Sequence, residues 1–185
     1  MIAAVLSRRT ALAVCLALLL VGQGCLHRIH VTPTPPMTAD RQIGKSVQVV
    51  VPFLALKGAD HMPGIGSLSW PADDLRSGAI AYFQQRRTFE TAGTGPADLT
   101  LTIKTWLTLR SRGHYVYRLH MESELGPSGA PPLKTYVVDK EAAGSTVRWV
   151  TASDRDPIQQ TVQAALDDLA QQIEGDAALY RRGVK

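Results

Sequence analysis

The chain has 185 residues, 45% of them hydrophobic and 19% charged, which suits one domain with a core of ordinary size plus flanking segments. Lys and Arg number 20 against 16 Asp and Glu, a net charge of +4. Arg8 and Arg9 lie in an N-terminal stretch with no acid. Without that stretch the balance is 18 against 16, or +2, and no Lys/Arg block remains, so the pI of 9.3 is no nucleic-acid footprint.

Met1 to Thr10 is positively charged, Ala11 to Val21 is an unbroken apolar run of 11 residues, and Gly22-Gln23-Gly24 leads to Cys25. This is the three-part layout of a secretory signal. A spanning helix needs about 20 apolar residues, so the run is short for an uncleaved anchor. The segment resembles a bacterial lipobox, with Gly24 before a cysteine that is diacylated and becomes the new N-terminus. Gly22 departs from that pattern, where a leucine or similar residue is usual. Ser7-Arg8-Arg9-Thr10 resembles a twin-arginine signal, but Ala11 replaces the preferred Phe and the following run is very hydrophobic, which points to the ordinary Sec route. The expectation is a signal peptide over 1–24 and lipid on Cys25. Cys15 would leave with the signal, so the mature chain has no internal disulfide. Acylation also removes a lone thiol from an oxidising compartment. Leu26 follows the cysteine. The Asp that retains lipoproteins on the inner membrane is absent there, so the resemblance implies the periplasmic face of the outer membrane.

Residues 25–46, with Pro33, Pro35 and Pro36, read as a tether. The folded domain is expected over 47–175. Val47 to Phe53 reads as a strand with Val47, Val49, Val51 and Phe53 on one face, ending at Pro52 or lying at a sheet edge because proline cannot donate to the ladder. Lys57 to Trp70 reads as a long loop. Asp73 to Phe89 reads as a helix with the stripe Leu75, Ala79, Tyr82, Phe83 and Arg86; Gly78 within it suggests close approach to a sheet. Leu99 to Leu109 and Tyr115 to Leu125 alternate with period 2 and form a hairpin about Ser111 to His114. Further strands are expected at Leu133 to Val138 and Val147 to Val150. A closing helix begins at Asp156-Pro157, carries Ile158, Val162, Ala165, Leu166, Leu169 and Ile173, and ends at Gly175 in the left-handed conformation. Residues 176–185 read as a tail. The order β-α-β-β-(β)-α predicts an α+β two-layer domain, a mostly antiparallel sheet of about four strands with two helices on one face. The inward set is Val49, Val51, Phe83, Leu101, Ile103, Leu119, Met121, Leu166 and Leu169.

The lipobox, the Val49-Val50-Val51-Pro52-Phe53 opening strand, the Ala97-Asp98-Leu99 entry into long amphipathic strands and the amphipathic last helix together resemble small α/β envelope lipoproteins of the CsgG, LpoB and YajG type; the element order is similar to that of LptE-type lipoproteins. The resemblance spans about Val47 to Ile173. It implies a partner or subunit of an envelope machine and carries over no functional residue.

Catalytic signatures fail on inspection. Gly44-Lys45-Ser46 lacks the glycine five positions earlier, where Ala39 stands, and a strand follows it. Gly64 and Gly66 lack the third glycine of a dinucleotide fingerprint, position 69 being serine. His27 and His30 offer two ligands where a zinc site needs more. His61, His114 and His120 show no metalloprotease spacing, and no Gly-x-Ser-x-Gly is present. Glu122 with Glu124, or Asp139 with Glu141, could form acid pairs but read better as solvated charge. The more distinctive surface is the outward sheet face, where Trp106 lies near Lys104, Arg118 and His120 and suits a protein contact. The bland alternative is a Trp106 covered by the protein's own chain.

The expectation is therefore a lipid-anchored, non-catalytic subunit or accessory factor of a cell-envelope assembly. It would have no cofactor, metal or nucleic acid, with the membrane and an envelope protein as partners; a homo-oligomer stays open. A carrier of a small, lipidic or glycan ligand is the alternative and calls for a cavity between Tyr82, Phe83 and the strands. A hydrolase would show perturbed carboxylates converging with a histidine in a cleft.

Overall fold

The computed structural model describes residues 25–58, 66–112, 114–144 and 155–181. The signal segment and the strand expected at Val147 to Val150 lie outside them. The elements are β1 (Cys25–Arg28), β2 (Ile43–Gly58), β3 (Gly66–Ser69), α1 (Ala72–Arg86), β4 (Phe89–Gly93), β5 (Leu99–Arg112), β6 (His114–Pro127), β7 (Lys134–Ala143), α2 (Arg155–Gly175) and α3 (Ala177–Arg181).

The main sheet has five strands in the order β4-β2-β5-β6-β7, and β1 and β3 form a separate parallel pair. The α+β class holds. The sheet is mixed rather than mostly antiparallel: β2 pairs parallel with both β4 and β5, while β5, β6 and β7 form an antiparallel meander. The crossover from β2 through α1 to β4 explains the parallel half, since parallel neighbours need a helix-length connection.

Period-2 alternation places Leu99, Leu101, Ile103 and Leu107 of β5 on the inner face with Tyr117, Leu119, Met121 and Leu125 of β6. Both helices cover that face. α1 packs on β2 and β4 through Leu75, Ala79, Tyr82 and Phe83, and α2 packs on β6 and β7 through the predicted stripe from Ile158 to Ile173. All nine residues of the predicted inward set are buried.

β2 is twice the predicted length and passes through Pro52. Its partners on β5 run from Val50–Thr102 to Phe53–Lys104, so β2 carries one extra residue, a bulge spanning Val51 and Pro52. β4 pairs with β2 only as far as Gln48, so Pro52 also lies beyond the strand on its other side. A bulge inverts the alternation. Val47, Val49 and Val51 face the core, but Phe53 turns to the outer face at 43% exposure, against the expectation.

The segment expected as a tether packs against the body. Ile29 and Val31 are buried, the Val31 amide donates to Asp74 Oδ2 at 3.0 Å, and the Ala39 amide donates to the Arg86 carbonyl at 2.6 Å. Gly78 accordingly faces Pro33 and the Val31 carbonyl, each 3.2 Å from where a Cβ would stand, rather than the sheet. The region read as a loop contains β3, and the region read as a tail contains α3, whose Tyr180 is buried and shares a 2.6 Å hydroxyl contact with Tyr136. α1 ends three residues before the predicted limit, at Arg87 in the left-handed conformation with φ 63°. α2 ends at Gly175 without a positive φ; the Asp176 amide closes it on the Gln172 and Ile173 carbonyls.

At the closed end of the helix layer, Arg86 and Glu174 form a buried two-pronged ion pair at 2.7 and 3.0 Å. The Thr88 hydroxyl donates to the same carboxylate at 2.9 Å, which joins α1, α2 and the start of β4. The Glu174 hydrogen bonds hold the Arg86 pKa above its ordinary value.

Candidate functional site

Both long helices pack on the inner face, so among the described residues no helix covers the outer face of β2, β5, β6 and β7. Register sets its rows. Trp106 stands opposite His120, which stands opposite Asp139; Thr108, Arg118 and Glu141 form the next row. Phe53 contributes from β2 because of the bulge. Its ring lies 5.3 Å from Trp106, and Trp106 lies 5.3 Å from His120, both tilted. Phe53, Trp106 and His120 thus form an aromatic row across three strands, with Val137 at 50% exposure nearby.

The structure brings Trp106, Lys104, Arg118 and His120 onto one face, as the alternation predicts. It also engages the charged ones. Lys104 pairs with Glu124 at 3.0 Å and Arg118 pairs with Glu141. His120 Nδ1 contacts Asp139 at 2.8 Å and Nε2 contacts Glu122 at 3.3 Å. Four carboxylates therefore meet Lys104, Arg118 and His120, so these charges are paired with one another. The hydrogen bond to Asp139, aided by Glu122, raises the His120 pKa above its ordinary value. Phe53 was not legible as a member, because one inserted residue reversed its side. Pro52 within a β-branched run was the available signal for a bulge.

The carboxylate pairs act as partners of His120, Lys104 and Arg118. Among the described residues no three His, Cys, Asp or Glu side chains gather as a metal site, and no helix is long and apolar enough to cross a membrane.

One groove, of about 460 Å³, lies on the outer face between Thr108, Arg118, His120, Asp139 and Glu141. Another, of about 490 Å³, runs along α1 from His30 and Asp74 to Gln85. Tyr82 and Phe83, beside which a carrier cavity is expected, are fully buried, with Phe83 edge-on to Tyr82 and to Phe89 at 5.6 and 5.5 Å. Cys25 sits at the start of β1, in register with Gly66.

No family model matches the chain, and no curated protein does. Among solved structures it is similar to a Xanthomonas campestris protein of family DUF330, at 14% identity and TM-score 0.62, covering 84% of this chain and 99% of that one. That likeness shows the fold alone. Two weaker likenesses are a putative lipoprotein of Caulobacter crescentus, at 11% identity, TM-score 0.38 and 72% and 88% coverage, and a minor lipoprotein of Acinetobacter baumannii, at 14%, 0.41, and 74% and 94%. At those scores they carry no argument. The resemblance to the CsgG, LpoB and YajG type rests on the sequence.

Proposed function

We propose that the mature chain begins at Cys25, carries lipid on that thiol, and serves as a non-catalytic subunit or accessory factor of a cell-envelope assembly at the periplasmic face of the outer membrane. The lipobox-like approach to Cys25 supports the anchoring, and Leu26 in place of the retaining Asp supports the outer membrane. Lipid chains contribute roughly 0.8 kcal/mol per buried methylene, so more than one chain gives lasting attachment. The observation that carries the partner role is the outer face, which no described helix covers, with its Phe53–Trp106–His120 row. A partly exposed aromatic row beside paired charges has the anatomy of a contact surface, with an anchor at the centre and a polar rim.

Cell fractionation of Cys25→Ser tests the anchor. The variant should move to the soluble periplasmic fraction, and retention after high-salt and carbonate washing would place the anchor in the apolar run instead. Co-purification tests the surface. Trp106→Ala and Arg118→Ala should each weaken partner association by about 1–3 kcal/mol while the melting temperature stays near normal. A destabilised Trp106→Ala protein that still binds its partner would leave Trp106 as a covered packing residue.

A further inference from the structure

Residues 29–39 lie against α1 and α2, and the two helices hold them mostly by the backbone. Asp74 accepts the Val31 amide at 3.0 Å and also contacts His30. Gln163 accepts the Thr34 amide at 2.7 Å, and Gln159 donates to the Thr32 carbonyl at 3.5 Å. Farther on, Arg86 donates to the Met37 carbonyl at 3.4 Å, and its own carbonyl accepts the Ala39 amide at 2.6 Å. Helix groups thus satisfy the backbone of an extended segment, as a peptide groove does for its ligand. Ile29, Val31 and Pro33 are buried, whereas His30, Thr32 and Thr34 are exposed, the alternation of an extended chain with one side down.

The receiving groups are set by the helices themselves. Gln163 Nε2 donates to both Asp167 oxygens at 3.1 and 3.2 Å, which leaves its carbonyl oxygen for the Thr34 amide. Tyr82 on α1 donates to the same Asp167 at 2.5 Å and ties the two helices together. Gly78 lets the segment come close, because a Cβ there would stand 3.2 Å from Pro33 Cδ and from the Val31 carbonyl. Glycine is a poor helix residue, so α1 gives up helix stability at the point where an extended backbone crosses it. The segment also leaves space beside it. The groove of about 490 Å³ runs on along Ser77, Ala81 and Gln85 and accommodates side chains larger than Thr32 and Thr34.

We propose that this cleft is a peptide-binding site, filled here by the chain's own residues 29–39 and open to competition from an extended segment of a protein partner with the same pattern. That pattern is a β-branched residue at the places of Ile29 and Val31, proline at that of Pro33, and histidine or a basic residue at that of His30, facing Asp74. The places of Thr32 and Thr34 face outward and accept many side chains. The cleft lies in the helix layer, on the other side of the sheet from the Phe53–Trp106–His120 row, so it stands or falls independently of the contact assigned to that row and of the lipid on Cys25.

The test uses the mature-length chain with Cys25→Ser and a protease recognition sequence inserted between the exposed Asp40 and Arg41. Cleavage leaves residues 25–40 held without a covalent link. The probe is a fluorescein-labelled synthetic peptide of residues 28–39, followed by anisotropy, with far-UV circular dichroism reporting the fold. A tethered segment competes at an effective concentration of the order of millimolar. The intact chain should therefore stay unlabelled at about 10 µM peptide, whereas the cleaved chain should take the peptide up and remain folded. A peptide carrying Thr32→Lys/Thr34→Lys should bind within about threefold of the parent, and one carrying Val31→Asp should bind at least about tenfold more weakly. Gly78→Leu, which favours the helix but fills the crossing point, should weaken uptake by the cleaved chain at least about tenfold without loss of fold. A cleaved chain that unfolds as the segment leaves, or that stays folded and takes up no peptide, overturns the proposal. So does undiminished uptake by Gly78→Leu. Rejection of the Thr32→Lys/Thr34→Lys peptide would make the cleft a latch for this chain's own sequence and overturn the partner-binding role.

Discussion

Glu174→Ala is the sharpest probe of how this domain is held together. The substitution strands the Arg86 guanidinium, which is 2% exposed and keeps the Met37 carbonyl at 3.4 Å and the Tyr82 hydroxyl but no counter-ion among the described residues, and it removes the acceptor of the Thr88 hydroxyl. Removing one member of a buried pair costs about 3–5 kcal/mol, because the remaining charge is left without its counter-ion. Total stability for a domain is about 5–15 kcal/mol, so this is a large share. At roughly 2–4 °C per kcal/mol for a chain of this size, the melting temperature should fall by about 6–20 °C. The control is Arg86→Met/Glu174→Leu/Thr88→Val, which replaces the whole polar group by apolar side chains and should return to within about 1 kcal/mol of the parent, or exceed it. Urea unfolding of the soluble Cys25→Ser chain, followed by far-UV circular dichroism, reads both. A single variant that loses less than about 1 kcal/mol, or an apolar triple variant as unstable as the single one, would refute the claim that an uncompensated charge is what hurts.

Ile103→Asp places a carboxylate in the centre of the inner face, where Ile103 is fully buried, and should cost several kcal/mol; a normal melting temperature would contradict the register. Thr105→Val should stabilise by about 1 kcal/mol, because the buried Thr105 hydroxyl has no partner among the described residues and valine keeps its shape; destabilisation in urea would reveal a hidden partner. Arg87→Gly should add about 0.5–1 kcal/mol by relieving the left-handed backbone at the end of α1, and an unchanged urea midpoint would argue against strain there. His120 has a raised folded pKa, so its contribution is fully present below its unfolded pKa and is lost as pH rises through the folded value. Half-exposed, it is worth a few tenths of a kcal/mol at most, and His120→Gln should remove a small decline in stability on going from acidic to mildly alkaline pH.

The sequence by itself determined the elements whose signal is local. The alternation of Leu99 to Leu109 and Tyr115 to Leu125 fixed two long strands and their buried side, because side chains in a strand alternate and water is on one face only. The stripes from Leu75 to Arg86 and from Ile158 to Ile173 fixed two helices for the same reason at period 3.6. Together they made Trp106, Lys104, Arg118 and His120 legible as one outer surface. Tertiary structure decided what local pattern does not encode. β4 is five residues long and holds its place by pairing with β2 rather than by a period of its own. Ile29 and Val31 are isolated among prolines and polar residues, so only the groove beside α1 shows that they pack. Phe53 changed sides because one extra residue at Pro52 shifted the register with β5, an event that depends on two strands at once. Lys104 and Arg118 proved to be paired because Glu124 and Glu141 come from neighbouring strands, and such pairing is a property of the sheet rather than of either segment alone.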